Sequence, residues 1–345
     1  MQKYDVLVVG GGQSGLAAGW ALLKTGLKFA ILEGGAAVAG SWPRYYDSLR
    51  LFSPAAYSAL PDRAFPGDPK RYPRRDEVSA YLANYADALS LPVLTGQRVT
   101  SVERTPEGFW LRTTAGREYV ARSVVIATGV FEAPHMPRLP GHERFGGMAL
   151  HVAGYRNPEP YRGRRVVVVG AANSAVQVAV ELAAEADVTL AVRSRVRFIP
   201  QTLLGRDIHF WFNLAGVDRS RRLSDQGTPV LDDGHYSAAL KRGAPLAKPM
   251  FTSFTETGVV WADGVEERID AVIFATGYRP NVGFTKLPGL VDGAGTLLQR
   301  DGRAIGQPGI YFVGQPGLRS FSSGVLRGVG RDAAAVAAQI RRVMT

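Results

Sequence analysis

Two glycine-rich turns carry the clearest chemistry in this sequence. The first is Gly10-Gly11-Gly12-Gln13-Ser14-Gly15 and the second is Gly170-Ala171-Ala172-Asn173-Ser174-Ala175. Each follows a short apolar run that fits a buried strand, Asp5–Val9 and Arg165–Val169, and each opens an alanine-rich helical stretch. In such a turn the first glycine allows a tight bend and the second lets backbone amides approach a pyrophosphate. The third lets the helix pack close to the strand, while the helix N-terminus offers unpaired N–H groups to the phosphates.

The residues that end the next strands differ, and the difference is chemical. Glu33 closes Phe29–Leu32, and Arg193 closes Val188–Val192, each 23 positions beyond its first glycine. A carboxylate accepts hydrogen bonds from both ribose hydroxyls, which suits the unphosphorylated ribose of FAD. A guanidinium instead pairs with a 2′-phosphate, which suits NADPH, and Ser194, Arg195 and Arg197 follow it. In the second turn Ala172 and Ala175 replace two glycines, so backbone and ligand are expected to lie slightly further apart.

The elements that must position these turns form an internal repeat, so the predicted fold is α/β with two nested Rossmann-like dinucleotide-binding folds. Helices are expected over Leu16–Thr25 and, after the second turn, as far as about Ala186. Each fold closes on a similar phrase, Val124–Gly129 with Thr128-Gly129, and Val272–Tyr278 with Thr276-Gly277. A last strand at Gly309–Gly314 and a helix at 325–343 return to the first fold. The expected division is an FAD-binding part over 1–157, an inserted NADPH-binding domain over 158–277 and a C-terminal return over 278–345. Proline-rich stretches at 133–140 and 157–160 are read as the outgoing crossing, and Gly277–Pro280 as the return.

Bulk composition agrees with an ordinary globular protein and removes several alternatives. The chain has 345 residues, 46% hydrophobic and 21% charged, with a mean hydropathy of −0.03. There is no cysteine, which removes disulfides, thiolate metal sites and dithiol redox chemistry. The five histidines show no metal-ligand spacing with an acidic partner, so no metal is expected. The net charge of +11 is scattered along the chain, and its densest groups, Arg162–Arg165, Arg193–Arg197 and Arg219–Arg222, lack interleaved aromatics, so a nucleic-acid partner is not expected. No leader and no apolar stretch of membrane-spanning length stands out, so a cytoplasmic location is expected.

Between the two folds lies Phe145-Gly146-Gly147-Met148-Ala149-Leu150-His151-Val152-Ala153-Gly154-Tyr155. Its Phe-x-Gly-x3-His-x3-Tyr pattern resembles the fingerprint of class B flavoprotein monooxygenases, and its final tyrosine resembles the flavin-containing monooxygenase version. Gly40-Ser41-Trp42, the segments Tyr46–Pro54 and Tyr72–Glu77, and Phe274–Tyr278 are similar to stretches of small bacterial members. The resemblance spans essentially the whole chain. Gly314-Gln315 stands where the family has Gly-Asp against the flavin side chain, so a neutral group must replace that contact.

The resemblance implies an enzyme in which NADPH reduces FAD and O2 adds at flavin C4a. The resulting hydroperoxide oxygenates a soft nucleophile such as a sulfide or amine, or a ketone. The cofactor then carries the hard chemistry and the protein orients it and excludes water. On this analogy His151, Ser53 and Trp42 are the catalytic-side candidates. His151 orients the domain linkage or is an ordinary packed histidine, and Trp42 fits a flavin wall or the core. The resemblance also suggests a homodimer. Two alternatives use the same folds, an NADPH oxidase or flavin reductase without oxygenated product and a flavoprotein redox regulator.

Overall fold

The computed structural model describes residues 2–221 and 229–344. Arg222, in one of the arginine groups above, lies outside the described residues.

The first unit is built on a nine-stranded sheet. Its centre is β1 (Gln2–Val9), flanked in parallel by β2 (Phe29–Leu32) and by the strand Glu118–Ile126. The register places Val9 opposite both Leu32 and Ile126. Because both faces of β1 are covered, it reads as a continuous apolar run rather than an alternating one. Val6, Leu7 and Val8 are all fully buried. Helix α1 (Gln13–Leu23) covers one face, together with α2 (Arg75–Ala88) and the C-terminal helix Leu326–Met344. The opposite core layer includes the hairpin Val99–Thr105/Gly108–Thr113 and Val282, Leu287 and Leu290. The strand Ile310–Phe312 returns beside Glu118–Ile126, as the sequence suggests.

The second unit has a five-stranded parallel sheet, with Arg165–Val169 between Asp187–Val192 and Ala271–Phe274. The outer strands are Leu246–Pro249 and Met148–His151. That last strand lies upstream of residue 158, so the second sheet begins earlier in the chain than the division at 157/158 anticipates. The fingerprint thus contributes an edge strand, which its mixed composition does not advertise. Residues 157–160 are likewise not part of a crossing. They lead into a short 3-10 turn, Glu159–Tyr161, whose Tyr161 packs into the second unit's core.

Helix limits shift by a few residues at each copy. The first helix starts at Gln13, because the turn hands over directly to the helix after Gly12. The second, Asn173–Leu182, stops short of Ala186, and its last carbonyls are used by the turn through Ala183 to Ala186. The C-terminal helix matches its apolar spacing almost residue for residue.

Two adjacent segments connect the units. The outgoing chain passes Thr128 to His135 and the returning chain passes Thr276 to Asn281. His135 donates its N–H to the Gly277 carbonyl at 3.0 Å, and Arg279 donates to the Ala133 carbonyl at 2.8 Å. Thr128 Oγ1 donates to the Asn281 carbonyl at 3.0 Å, and Thr276 Oγ1 donates to the His135 carbonyl.

Candidate active site

The first glycine turn is as tightly packed as its motif requires. Gly10 has φ +107°, and a Cβ on it would lie 2.8 Å from the Ala127 carbonyl oxygen. A Cβ on Gly15 would lie 1.7 Å from the Gly10 carbonyl oxygen, so only glycine lets α1 approach this closely. Gly12 faces Gly40, with 3.4 Å available to a Cβ. Helix α1 has no side-chain cap, so its first N–H groups remain for a ligand.

Glu33 is buried beneath this turn. Its two carboxylate oxygens accept from the Gly11 and Gly35 N–H groups, each at 2.6 Å. The side chain therefore ties the turn to the end of β2. Two arginines, Arg44 and Arg98, hold Glu132 at 2.7 and 2.9 Å on the same wall. Burial alone would raise the Glu132 carboxyl, but the two guanidiniums outweigh it and hold the group below its ordinary range.

A cavity of about 850 Å³ opens from this turn. Of the sequence candidates, Gly10, Gly12, Gln13, Ser14, Glu33, Gly40, Ser41, Trp42, Ser53, Thr128, Gly129 and Gly314 line it. From the second unit Asn173 and Ser174 line the same cavity, joined by Gln177. The second copy is thus turned toward the first across one shared space. Trp42 lines the cavity and also packs against the core. Ser53 is buried, with its hydroxyl 2.9 Å from that of Ser58.

The remaining candidates lie outside the cavity lining. Gly15 sits behind the turn. Gly170, Ala172 and Ala175 shape the second turn, where a Cβ on Gly170 would already touch that of Ala175 at 3.0 Å. Arg193, Ser194 and Arg195 are exposed beyond the end of Asp187–Val192. Thr276 and Gly277 belong to the hydrogen-bonded crossing described above. Gln315 is 2% exposed and donates Nε2 to the Gly129 carbonyl at 3.1 Å, tying the C-terminal return to the crossing.

His151 is buried at the end of its strand. Its Nδ1 accepts from the Ala153 N–H at 3.1 Å, which leaves Nε2 as the N–H that donates to the Gly277 carbonyl at 3.0 Å. Burial lowers its pKa, partly offset by the Gly277 carbonyl and reinforced by His135. Both nitrogens are engaged, so the ring orients the crossing and has no free site for relaying a proton. The rest of the fingerprint is structural too. A Cβ on Gly147 would press to 2.7 Å from the Asp270 carbonyl oxygen, and the Tyr155 hydroxyl donates to Glu181 on the second-unit helix at 2.9 Å.

Some functional-looking groups escaped the sequence reading. The Arg44–Glu132–Arg98 trio joins residues far apart in the chain. Tyr46 spans the units, donating to Gln177 at 2.6 Å. Asp207 and His209 form a pair whose Asp-x-His spacing was visible but meant little without the fold.

The comparisons with known proteins agree with this geometry. The family model for pyridine nucleotide-disulphide oxidoreductases matches residues 7–210. The chain is 33% identical over 336 residues to the CzcO-like oxidoreductase of Geobacillus kaustophilus, covering 95% of this chain and 96% of that one. It is 32% identical to the indole-3-pyruvate monooxygenase YUCCA8 of Oryza sativa subsp. indica, over 97% of this chain and 90% of the relative. A solved flavin-containing monooxygenase from Stenotrophomonas maltophilia superposes with a TM-score of 0.88 at 34% identity, covering all of both chains.

The chain belongs to the pyridine nucleotide-disulphide oxidoreductase family, whose fold it carries without the cysteines that dithiol chemistry needs. Within it, the chain is a class B flavoprotein monooxygenase of the small bacterial flavin-containing type, an oxidoreductase that uses FAD and NADPH. The uncapped helix end, the glycine cradle and Glu33 fit a bound dinucleotide.

Proposed function

We propose that this enzyme transfers one oxygen atom from O2 to a soft nucleophile, a sulfide or an amine, at the expense of NADPH. FAD, which the Gly10–Gly15 turn and Glu33 would hold, would supply the redox chemistry that takes electrons from NADPH and activates O2. The observation that carries the proposal is the shared cavity, onto which Gly10 and Gly12–Ser14 open from one side and Asn173 and Ser174 from the other. Such sharing lets a nicotinamide reach a flavin and then shield it from water.

The chain's own residues divide the remaining work. The Gly10–Gly15 turn and α1 hold the pyrophosphate of FAD, and Glu33 accepts from the ribose. Gly40, Ser41, Trp42 and Ser53 wall the flavin, and Gly314 lets the chain pass Ser14 closely. Asn173 and Ser174 meet the NADPH pyrophosphate, while Arg193, with Ser194 and Arg195, pairs with the 2′-phosphate. A domain limit upstream of Met148, a homodimer and a cytoplasmic location complete the proposal. Among the described residues no helix is long and apolar enough to cross a membrane.

Purified enzyme should be yellow and should oxidise NADPH faster than NADH. With methyl phenyl sulfide present, NADPH consumption should yield sulfoxide. Hydrogen peroxide as the sole oxygen product, with no sulfoxide, would turn the assignment toward an NADPH oxidase.

A further inference from the structure

We propose that Asp218 and Arg327 are positioning residues for the cofactors: through this ion pair the second unit holds the wall of the cavity at Gly324–Leu326. The inference needs FAD and NADPH as the cofactors, and it holds whether or not oxygen reaches a substrate.

Residues 216–221 belong by sequence to the second unit but take no part in its sheet. They follow the helix Ile208–Leu214, and their turn Val217–Arg219 packs against it. From there they reach the first unit as a strap. Arg327, the second residue of the C-terminal helix, donates Nε to both Asp218 carboxylate oxygens at 3.0 and 3.1 Å, with its Nη2 2.9 Å from Oδ1. The Asp218 carbonyl accepts from Ser322 Oγ at 2.7 Å and from Arg331 Nη2 at 3.0 Å. The Phe321 N–H donates to the Ser220 carbonyl at 2.8 Å. The Phe321 ring meets Phe212 edge-on at 6.2 Å.

The strap thus grips the loop before the C-terminal helix, and the far end of that loop faces the cofactors. Gly324, Val325 and Leu326 line the cavity. The Gly324 carbonyl accepts at 3.0 Å from Nε2 of Gln13, the first residue of α1. Little in the loop can adjust independently. A Cβ on Gly328 would lie 2.0 Å from the Ser322 carbonyl oxygen, and Ser323 Oγ accepts from the Arg319 and Ser320 N–H groups at 3.0 and 2.9 Å. A shift at Asp218 is therefore passed to Gly324–Leu326.

An apolar contact would join the units with less desolvation, because both charges of a buried pair must leave water. The Asp218 and Arg327 side chains are only 8% and 10% exposed. The corner is dry enough that burial holds the neighbouring Asp332 carboxyl above its ordinary range despite Ser323, Arg319 and Arg331. What the pair supplies is direction. A guanidinium fork on a carboxylate fixes distance and angle together, where apolar faces can slide. Hydride transfer between two bound cofactors is steep in placement. A fixed wall therefore acts on its rate more than on binding.

The test is anaerobic stopped-flow reduction of bound flavin by NADPH, with the visible circular dichroism of that flavin, in wild type and Asp218→Asn. Both readings are taken per bound flavin, so a smaller folded fraction does not enter. The reduction rate at saturating NADPH should fall by about tenfold, and the flavin dichroism should change without any NADPH present. Half-saturating NADPH should move by less than about twofold. An unchanged rate and dichroism per flavin, whatever the melting temperature, overturns the proposal and leaves the pair a packing contact. A rise in half-saturating NADPH alone also overturns it, because the pair would then act on binding. Should Asp218→Asn fail to fold, Ser322→Ala decides, since it removes one bond of the strap and no charge. A fall of about threefold with altered dichroism supports the proposal, and wild-type values overturn it.

Discussion

His151 donates Nε2–H to the Gly277 carbonyl at 3.0 Å, joining the edge strand of the second sheet to the chain returning from it. The same carbonyl accepts from the His135 N–H on the outgoing chain, also at 3.0 Å. One oxygen atom thus fixes three segments at the junction of the two units. Tyr278 completes the junction, with its ring edge-on to His151 at 4.8 Å and to Phe131 at 4.7 Å.

Removing that link should loosen the junction. His151→Ala leaves the Ala153 N–H without its partner and opens space under Tyr278, at a cost of about 1–3 kcal/mol. Thermal unfolding measures it. The sign of the pH effect follows from the lowered pKa. The unfolded chain takes up a proton near pH 6.5 and the folded chain resists it, so wild-type stability falls as pH drops below about 6.5. His151→Ala should lose that part of the slope. Parallel pH profiles for the two proteins would show that His151 does not contribute it.

Gly15 and Gly12 separate packing from ligand approach. Gly15→Ala forces a methyl group against the Gly10 carbonyl and should lower the melting temperature even without flavin. Gly12→Ala has 3.4 Å to Gly40 and should fold, yet bind FAD poorly because its new methyl group lies in the pyrophosphate's approach. Differential scanning of flavin-free protein and flavin titration distinguish the two. Equal melting temperatures with equal flavin affinities would contradict both assignments.

How far this site could be read without coordinates depends on whether its parts are local. The strand-end positions of Glu33 and Arg193 were legible because each sits at a fixed offset in a repeated strand–turn–helix–strand unit. The turn glycines were legible for the same reason, since their geometry is set within six residues. The strand at Met148–His151 was not, because its parallel partner Ala271–Phe274 lies far along the chain and only one of its residues is fully buried. The Asp218–Arg327 pair was hidden likewise, since its members stand 109 positions apart and meet only once folded.

Glu33→Gln should weaken flavin retention by roughly tenfold. Glutamine keeps one acceptor but turns an NH2 toward the N–H of Gly11 or Gly35, where the wild type places an oxygen at 2.6 Å. The flavin-to-protein absorbance ratio after dialysis reports it. Full retention would mean that neither the turn nor the ribose depends on the charge.

Arg193→Glu reverses the charge at an exposed strand end and should leave the fold intact. NADPH affinity should fall by about tenfold or more, with little change for NADH, because only the former carries the 2′-phosphate. Steady-state oxidation of both cofactors measures it. Equal losses would remove Arg193 from the phosphate site.

Oxygen transfer itself is tested most directly by turnover under 18O2 with NADPH and methyl phenyl sulfide, following sulfoxide by mass spectrometry against NADPH consumed. The expected product is a sulfoxide carrying one atom of 18O, formed in proportion to NADPH oxidised. NADPH oxidation that yields only hydrogen peroxide, or sulfoxide whose oxygen comes from water, would contradict it.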